Sequence, residues 1–325
     1  MSDQAAARGF RHVAWFYRDA AEYRAGIEEF VQAGARSGQP TLVALPERQA
    51  PPHGAALDAA VVSVADMTRL GRNPARIMPA VRAFTDAHPG RPVRFLGEPA
   101  WPGRSAAELR EVDRYEAMLN VAFADVDITI LCPYNAARLP SPALSAARRT
   151  HPRLRDGGQE SESPAYHLPT DWPTGFGVLL SAPPGARVLA YDGDLRPVRA
   201  LVRATAGYAG LSAARCTDLV IAASEVAANT LKHTSGGGVI RVWATDSEVL
   251  CQLEDAGYIA DPLAGLARPA TDMSGRQGLW LVNQVCDLAE IRTGESGTTI
   301  RLHMYRDAEL AWGAADARTG QDTVI

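Results

Sequence analysis

The chain has 325 residues, a formal net charge of -4 and a pI near 6.0. That length suits two domains, each able to bury its own core, and the acid-leaning balance excludes the broad basic footprint of a direct nucleic-acid binder. No apolar run reaches bilayer-spanning length, Met1 to Gly9 lacks a leader pattern, and Cys132, Cys216, Cys251 and Cys286 show no CxxC or His-rich spacing; a cytoplasmic protein with reduced, buried thiols and no membrane attachment is expected.

In chain order, His12 to Arg18 reads as a first strand, and Asp19 as the cap of a helix reaching Ser37, with Tyr23, Ile27, Phe30 and Val31 at helical spacing. Thr41 to Leu45 and Val61 to Val64 are short apolar runs of the kind that fill parallel sheets. Asn73-Pro74 pairs a cap with a first-turn proline and opens a helix through Ala87. Pro92 to Leu96 is a strand, Ser105-Ala106-Ala107-Glu108 is a capping box for a helix to Ala124, and Asp127 to Cys132 is a further strand. This alternation predicts an α/β domain, a mainly parallel sheet covered by helices in three layers.

The details of this half, His12 with Phe16-Tyr17-Arg18, Gly97-Glu98-Pro99 with Trp101-Pro102-Gly103-Arg104, Glu116 with Asn120, and Leu131-Cys132-Pro133-Tyr134, resemble the MEDS sensory domain. The resemblance spans residues 8–152 as a domain and implies sensing of a small molecule or other signal upstream of transcriptional control. The loop from Gly97 to Arg104 follows the carboxyl end of a strand, where open α/β sheets place their sites, so His12, Trp101, Arg104 and Tyr134 are candidates for a sensory pocket. No Gly-rich loop ending in Lys-Ser/Thr follows any strand here, which argues against nucleotide hydrolysis in this half.

From Arg153 the composition turns polar and poor in core-forming residues, so residues 153–175 read as a linker flanked by exposed histidines, His151 and His167. The Arg148, Arg149, Arg153 and Arg155 cluster reads as a solvated helix end running into that linker. Gly185 to Asp192 is then a strand, Leu195 to Ala209 an amphipathic helix, and Ser212 the cap of the helix that carries Ser224 to His233. On that helix Asp218, Ala222, Glu225, Asn229 and Lys232 form one stripe, opposite the packing residues Cys216, Leu219, Ala223, Val226, Ala227 and Leu231. A carboxylate one turn before an amide sets a proton acceptor beside an oxygen suited to a hard cation.

After the turn Ser235 to Gly238, two alternating segments around Val239 and Val249 predict a β-hairpin ending at Asp255, where Gly257 allows close backbone approach. A Pro- and Gly-containing stretch from Asp261 to Gln277 suits a lid, and Gly278 opens a helix through Cys286 whose amino end can hold phosphate with help from Arg276. Leu288 to Thr293 and Thr298 to Tyr305 close the sheet, and the residues after Asp307 read as a polar tail.

The ordered set of Glu225-x-x-x-Asn229, Asp255-Ala256-Gly257, Gly275-Arg276-Gln277-Gly278 and Gly297-Thr298 resembles the ATP-binding domain of the GHKL superfamily, and within it the anti-sigma-factor serine kinases. It implies a two-layer α/β sandwich of the Bergerat type over residues 176–308, followed by a tail at 309–325. It also implies ATP and Mg2+ as cofactors, Glu225 as catalytic base, Asn229 as metal ligand, Lys232, Arg276 and Gly278 at the phosphates, and Asp255, Gly257 and Thr298 at adenine, with Thr299 as a competitor for the hydroxyl role. The implied partners are a STAS-domain anti-anti-sigma protein and a sigma factor, with a possible homodimer. Ile259 stands where the family's Asp-x-Gly-x-Gly box has its second glycine.

Two rival readings remain. A nucleotide-binding sensor or adaptor would sequester a partner without chemistry. A histidine-kinase-like signalling protein needs a phosphoacceptor histidine on a helical hairpin, for which the stretch from His151 to Pro184 is too rich in proline.

Overall fold

The computed structural model describes residues 9–46, 62–168, 179, 181–268 and 277–306. The chain divides into two compact units, Met1–Pro173 and Thr174–Ile325.

The first unit is built on a seven-stranded sheet in the order β3-β2-β4-β5-β1-β6-β7. Its strands are β1 (Arg11–Tyr17), β2 (Thr41–Leu45), β3 (Val62–Asp66), β4 (Val93–Gly97), β5 (Ile128–Asn135), β6 (Arg153–Asp156) and β7 (Gln159–Glu162); its helices are α1 (Ala20–Arg36), α2 (Met67–Leu70), α3 (Ile77–Asp86), α4 (Ala106–Ala122) and α5 (Ser141–Thr150). Every pairing is parallel except the terminal β6–β7 hairpin. Alternation along β1 assigns its two faces. Val13, Trp15 and Tyr17 pack with Tyr23, Ile27, Phe30 and Val31 of α1, and Gly26 is needed there because a Cβ would stand 2.2 Å from the Trp15 ring. His12, Ala14 and Phe16 therefore face the opposite side of the sheet.

The caps read from sequence hold. Asp19 accepts from the amides of Ala21 and Glu22, and Ser105 and Glu108 exchange both bonds of a capping box. Asn73 caps a 3-10 turn, Pro74–Arg76, before α3 proper begins.

The expected linker needs correction at its start. Residues 153–162 form β6 and β7 of the first sheet, with β6 pairing parallel to β1. Ion pairs explain how so polar a segment is recruited: Glu160 bonds both Arg11 and Arg153, Arg155 reaches Glu29, and Arg18 bonds Asp156 at 2.6 Å. Ser163 Oγ then donates to the Arg148 carbonyl at 2.6 Å, and the His167 amide to the Arg149 carbonyl at 3.2 Å. His167 is exposed, as expected, but His151 is fully buried.

The second unit is an antiparallel five-stranded sheet in the order β11-β12-β10-β9-β8. It comprises β8 (Arg187–Tyr191), β9 (Gly238–Ala244), β10 (Glu248–Asp255), β11 (Leu288–Gly294) and β12 (Gly297–Tyr305), with helices α6 (Arg196–Tyr208), α7 (Ala213–His233) and α8 (Gln277–Val285). One core joins Val198, Val202 and Ala206 of α6, Leu219, Ala223 and Val226 of α7 and Val282 of α8 to Val242, Cys251, Leu253, Ile300 and Leu302 of the sheet. Helices on one face of one sheet make the two-layer sandwich. Among the described residues no helix is long and apolar enough to cross a membrane.

Candidate nucleotide site

The 21-residue helix α7 is capped by Ser212, whose hydroxyl accepts from the Arg215 amide, and it packs against both α6 and α8. That packing covers Ala222, which is fully buried, so the expected working stripe lacks that residue. Glu225 and Asn229 are half-buried, and Lys232, one turn on, is exposed.

Glu225 and Asn229 meet the first turn of α8 at Gly278. A Cβ built there would lie 3.0 Å from Asn229 Nδ2 and 3.2 Å from Glu225 Oε2. Glycine thus keeps a space open between a carboxylate, an amide and the amino end of a helix, where free N–H groups favour anions. Arg276 lies outside the described residues, as does the segment 269–276 of the expected lid. Residues 261–268 are described and lie against α8: Leu266 is buried, and Asn283 Nδ2 donates to the Gly265 carbonyl at 3.0 Å.

A second group forms around Asp255, whose register partner on β12 is Thr298. The Gly257 amide donates to Asp255 Oδ1 at 2.7 Å, the Thr230 hydroxyl to Oδ2 at 2.6 Å, and the Thr298 hydroxyl to the Gly257 carbonyl at 2.8 Å. Each carboxylate oxygen keeps a second acceptor site for a ligand donor. Thr298 rather than Thr299 faces this loop. Ile259 adopts no left-handed backbone; it packs on the core while its amide donates to Thr293 Oγ1 at 2.9 Å. The loop therefore closes without the second glycine.

The two groups hang on one turn of α7, since Asn229 faces Gly278 and Thr230 holds Asp255. A separate cleft reaches Asp255 from the β8–β9 side, lined by Tyr191, Asp192, Gly236, Gly237 and Glu254, and neither Glu225 nor Asn229 lines it. Thr230 is the residue that sequence reasoning missed. Its signal was its place directly after Asn229, turned toward the strand end rather than toward α8.

The candidate sensory residues of the first unit fall into two pairs. His12 and Tyr134 both bond Glu116, at 3.0 and 3.3 Å. Arg104 stacks over the Trp101 ring at 3.6 Å, donates to the Gly71 carbonyl and lies 3.7 Å from Glu108.

This architecture is that of a two-domain α/β protein, an open parallel sheet followed by a helix-covered antiparallel one of the ATPase type. Residues 11–152 match the family model described as MEDS, the methanogen/methylotroph DcmR sensory domain, and residues 189–304 match that of the histidine kinase-like ATPase domain. The chain carries a MEDS domain followed by a GHKL-like ATPase domain. No curated protein matches. Among solved structures, the RsbU and RsbW domains of a Mycobacterium tuberculosis protein are similar at 24% identity over 39% of this chain, with a TM-score of 0.30. The match spans only 34% of that structure's length.

Proposed function

We propose that the second domain binds ATP with Mg2+ and phosphorylates a serine or threonine of a STAS-type anti-anti-sigma protein. In this reading the chain is a cytoplasmic anti-sigma factor that holds a sigma factor once that partner is phosphorylated and released, and the MEDS domain adjusts the balance in response to its signal. Four free, buried thiols suit the compartment.

The observation that carries the reading is the meeting of Glu225 and Asn229 at Gly278. Asn229 would offer its amide oxygen to Mg2+, and Glu225 would take the proton from the partner's hydroxyl. The amino end of α8 and Lys232 would hold phosphate, while Asp255, Gly257 and Thr298 would frame adenine. When bound, Mg2+ neutralises charge on the phosphates and aligns the terminal phosphoryl group for in-line transfer.

Purified full chain, labelled ATP and a STAS protein test this directly. Glu225→Ala should lower phosphate transfer about a hundredfold or more while nucleotide still binds. Transfer at the unaltered rate would remove Glu225 as the base. Tight nucleotide and sigma-factor binding by the unaltered chain with no transfer would replace the kinase with an adaptor.

A further inference from the structure

Four side chains converge beneath α4 on the face of the first sheet opposite α1. They are His12 at the start of β1, Glu116 on α4, Cys132 on β5 and His151 immediately after α5, and all four are buried to within 1% of full exclusion from solvent. One atom from each lies within 4.8 Å of all the others. Glu116 Oε2 is the hub: it stands 3.0 Å from His12 Nε2, 3.4 Å from Cys132 Sγ and 3.5 Å from His151 Nε2, and Cys132 Sγ is 3.6 Å from His12 Nε2. A tetrahedral zinc-type ion with bonds of about 2.0 Å to nitrogen or oxygen and about 2.3 Å to sulfur separates its ligands by roughly 3.3–3.6 Å.

The hydrogen bonds behind these atoms put a proton on the outer nitrogen, Nδ1, of each ring. Asn120 Nδ2 donates to the carbonyls of Glu116, Ala117 and Thr150, so its Oδ1 is the atom that receives His12 Nδ1–H at 3.1 Å. His151 Nδ1–H donates to the Ala147 carbonyl at 2.8 Å. Each ring therefore turns Nε2 inward, the atom that carries the lone pair when an imidazole binds a metal. Both Nε2 atoms face Glu116 Oε2, His12 Nε2 at hydrogen-bond distance and His151 Nε2 at 3.5 Å without hydrogen-bond geometry. Tyr134 occupies the other carboxylate oxygen, Oε1, at 3.3 Å. A buried carboxylate, thiol and pair of imidazoles, both imidazoles backed by outer acceptors, is an arrangement that a metal ion completes.

We propose that His12 Nε2, Glu116 Oε2, Cys132 Sγ and His151 Nε2 bind one divalent ion of the zinc class in a closed tetrahedral site. Two imidazoles, a thiolate and a carboxylate select a borderline-soft cation over Mg2+ or Ca2+. Binding replaces the Cys132 S–H bond with an S–metal bond and releases that proton to solvent. With four protein ligands and no open position, the ion is structural or signal-responsive rather than catalytic. It ties β1, α4 and β5 to the point where α5 passes into β6. The site stands independently of the phosphate transfer proposed above.

The test uses the full chain, stripped with chelator and titrated with cobalt(II), then with zinc(II). One equivalent of cobalt should give the intense visible bands of a tetrahedral ion and a thiolate-to-cobalt band in the near ultraviolet, both erased by stoichiometric zinc. Cys132→Ser should lose the thiolate band, and His151→Gln should weaken binding about tenfold or more, whereas Cys286→Ala in the second domain should change neither. If a variant fails to fold, the unaltered chain still decides: a raised thermal midpoint with one zinc supports the site. Sub-stoichiometric uptake, an octahedral spectrum, or equal binding by Cys132→Ser overturns it.

Discussion

His303 lies between two carboxylates, 2.8 Å from Glu248 and 3.1 Å from Glu290. Burial alone would lower its pKa, but the two hydrogen-bonded carboxylates outweigh burial and raise it to about 9. The charged form is favoured in the folded state, so its contribution is fully present below pH about 6.5 and is lost as pH rises through about 9. His303→Gln should remove about 3 kcal/mol of pH-dependent stability across that window, read from urea unfolding at a series of pH values; an unchanged slope would refute the assignment. Glu98 of the MEDS domain titrates in an earlier window. Burial pushes it up to about 7 against the opposing bonds from Tyr23 and Tyr17, so its folded form keeps a proton that the unfolded chain has released, and stability falls as pH rises from about 4.5 to 7. Glu98→Gln should flatten that lower window alone. At this scale Glu225 and Asn229 were legible because helical spacing puts them on one stripe. His151 was not: flanked by polar residues, it offered no apolar pattern, and its burial comes from partners 35 and 139 positions away, Glu116 and His12.

Among elements, α8 illustrates how one missing side chain shapes a site. At Gly278 an added methyl would crowd the movable ends of Asn229 and Glu225 rather than backbone. Gly278→Ala should therefore weaken nucleotide binding about tenfold or more, measured by titration calorimetry, with little change in thermal midpoint. Wild-type affinity in that variant would detach α8 from the proposed nucleotide site. Caps and apolar periodicity made most helices and strands readable to within a few residues. The β6–β7 hairpin escaped because its strands are polar and short, and what recruits them is pairing to β1 and the Arg11–Glu160 and Arg155–Glu29 ion pairs, none of which leaves a local trace in the sequence. Ile259 escaped in the opposite sense, since a departure from a family pattern turned out to be a packing residue.

For the whole molecule, two separate cores explain why two domains were readable from length and alternation alone, while the border between them was not. A fragment of residues 1–152 should melt about 5 °C or more below one of residues 1–168, because the shorter piece strips β6 from β1 and removes Ser163 from the end of α5. Equal melting of the two would mean that the hairpin adds nothing to the first fold. The position of β1 has a further consequence for biosynthesis. Among the described residues, β1 leaves the ribosome well before its hydrogen-bonding neighbours β5 and β6, which follow more than a hundred residues later. Until then its apolar ribbon has both edges unpaired, a long-range closure that makes the nascent chain slow to fold and a natural client for holding chaperones.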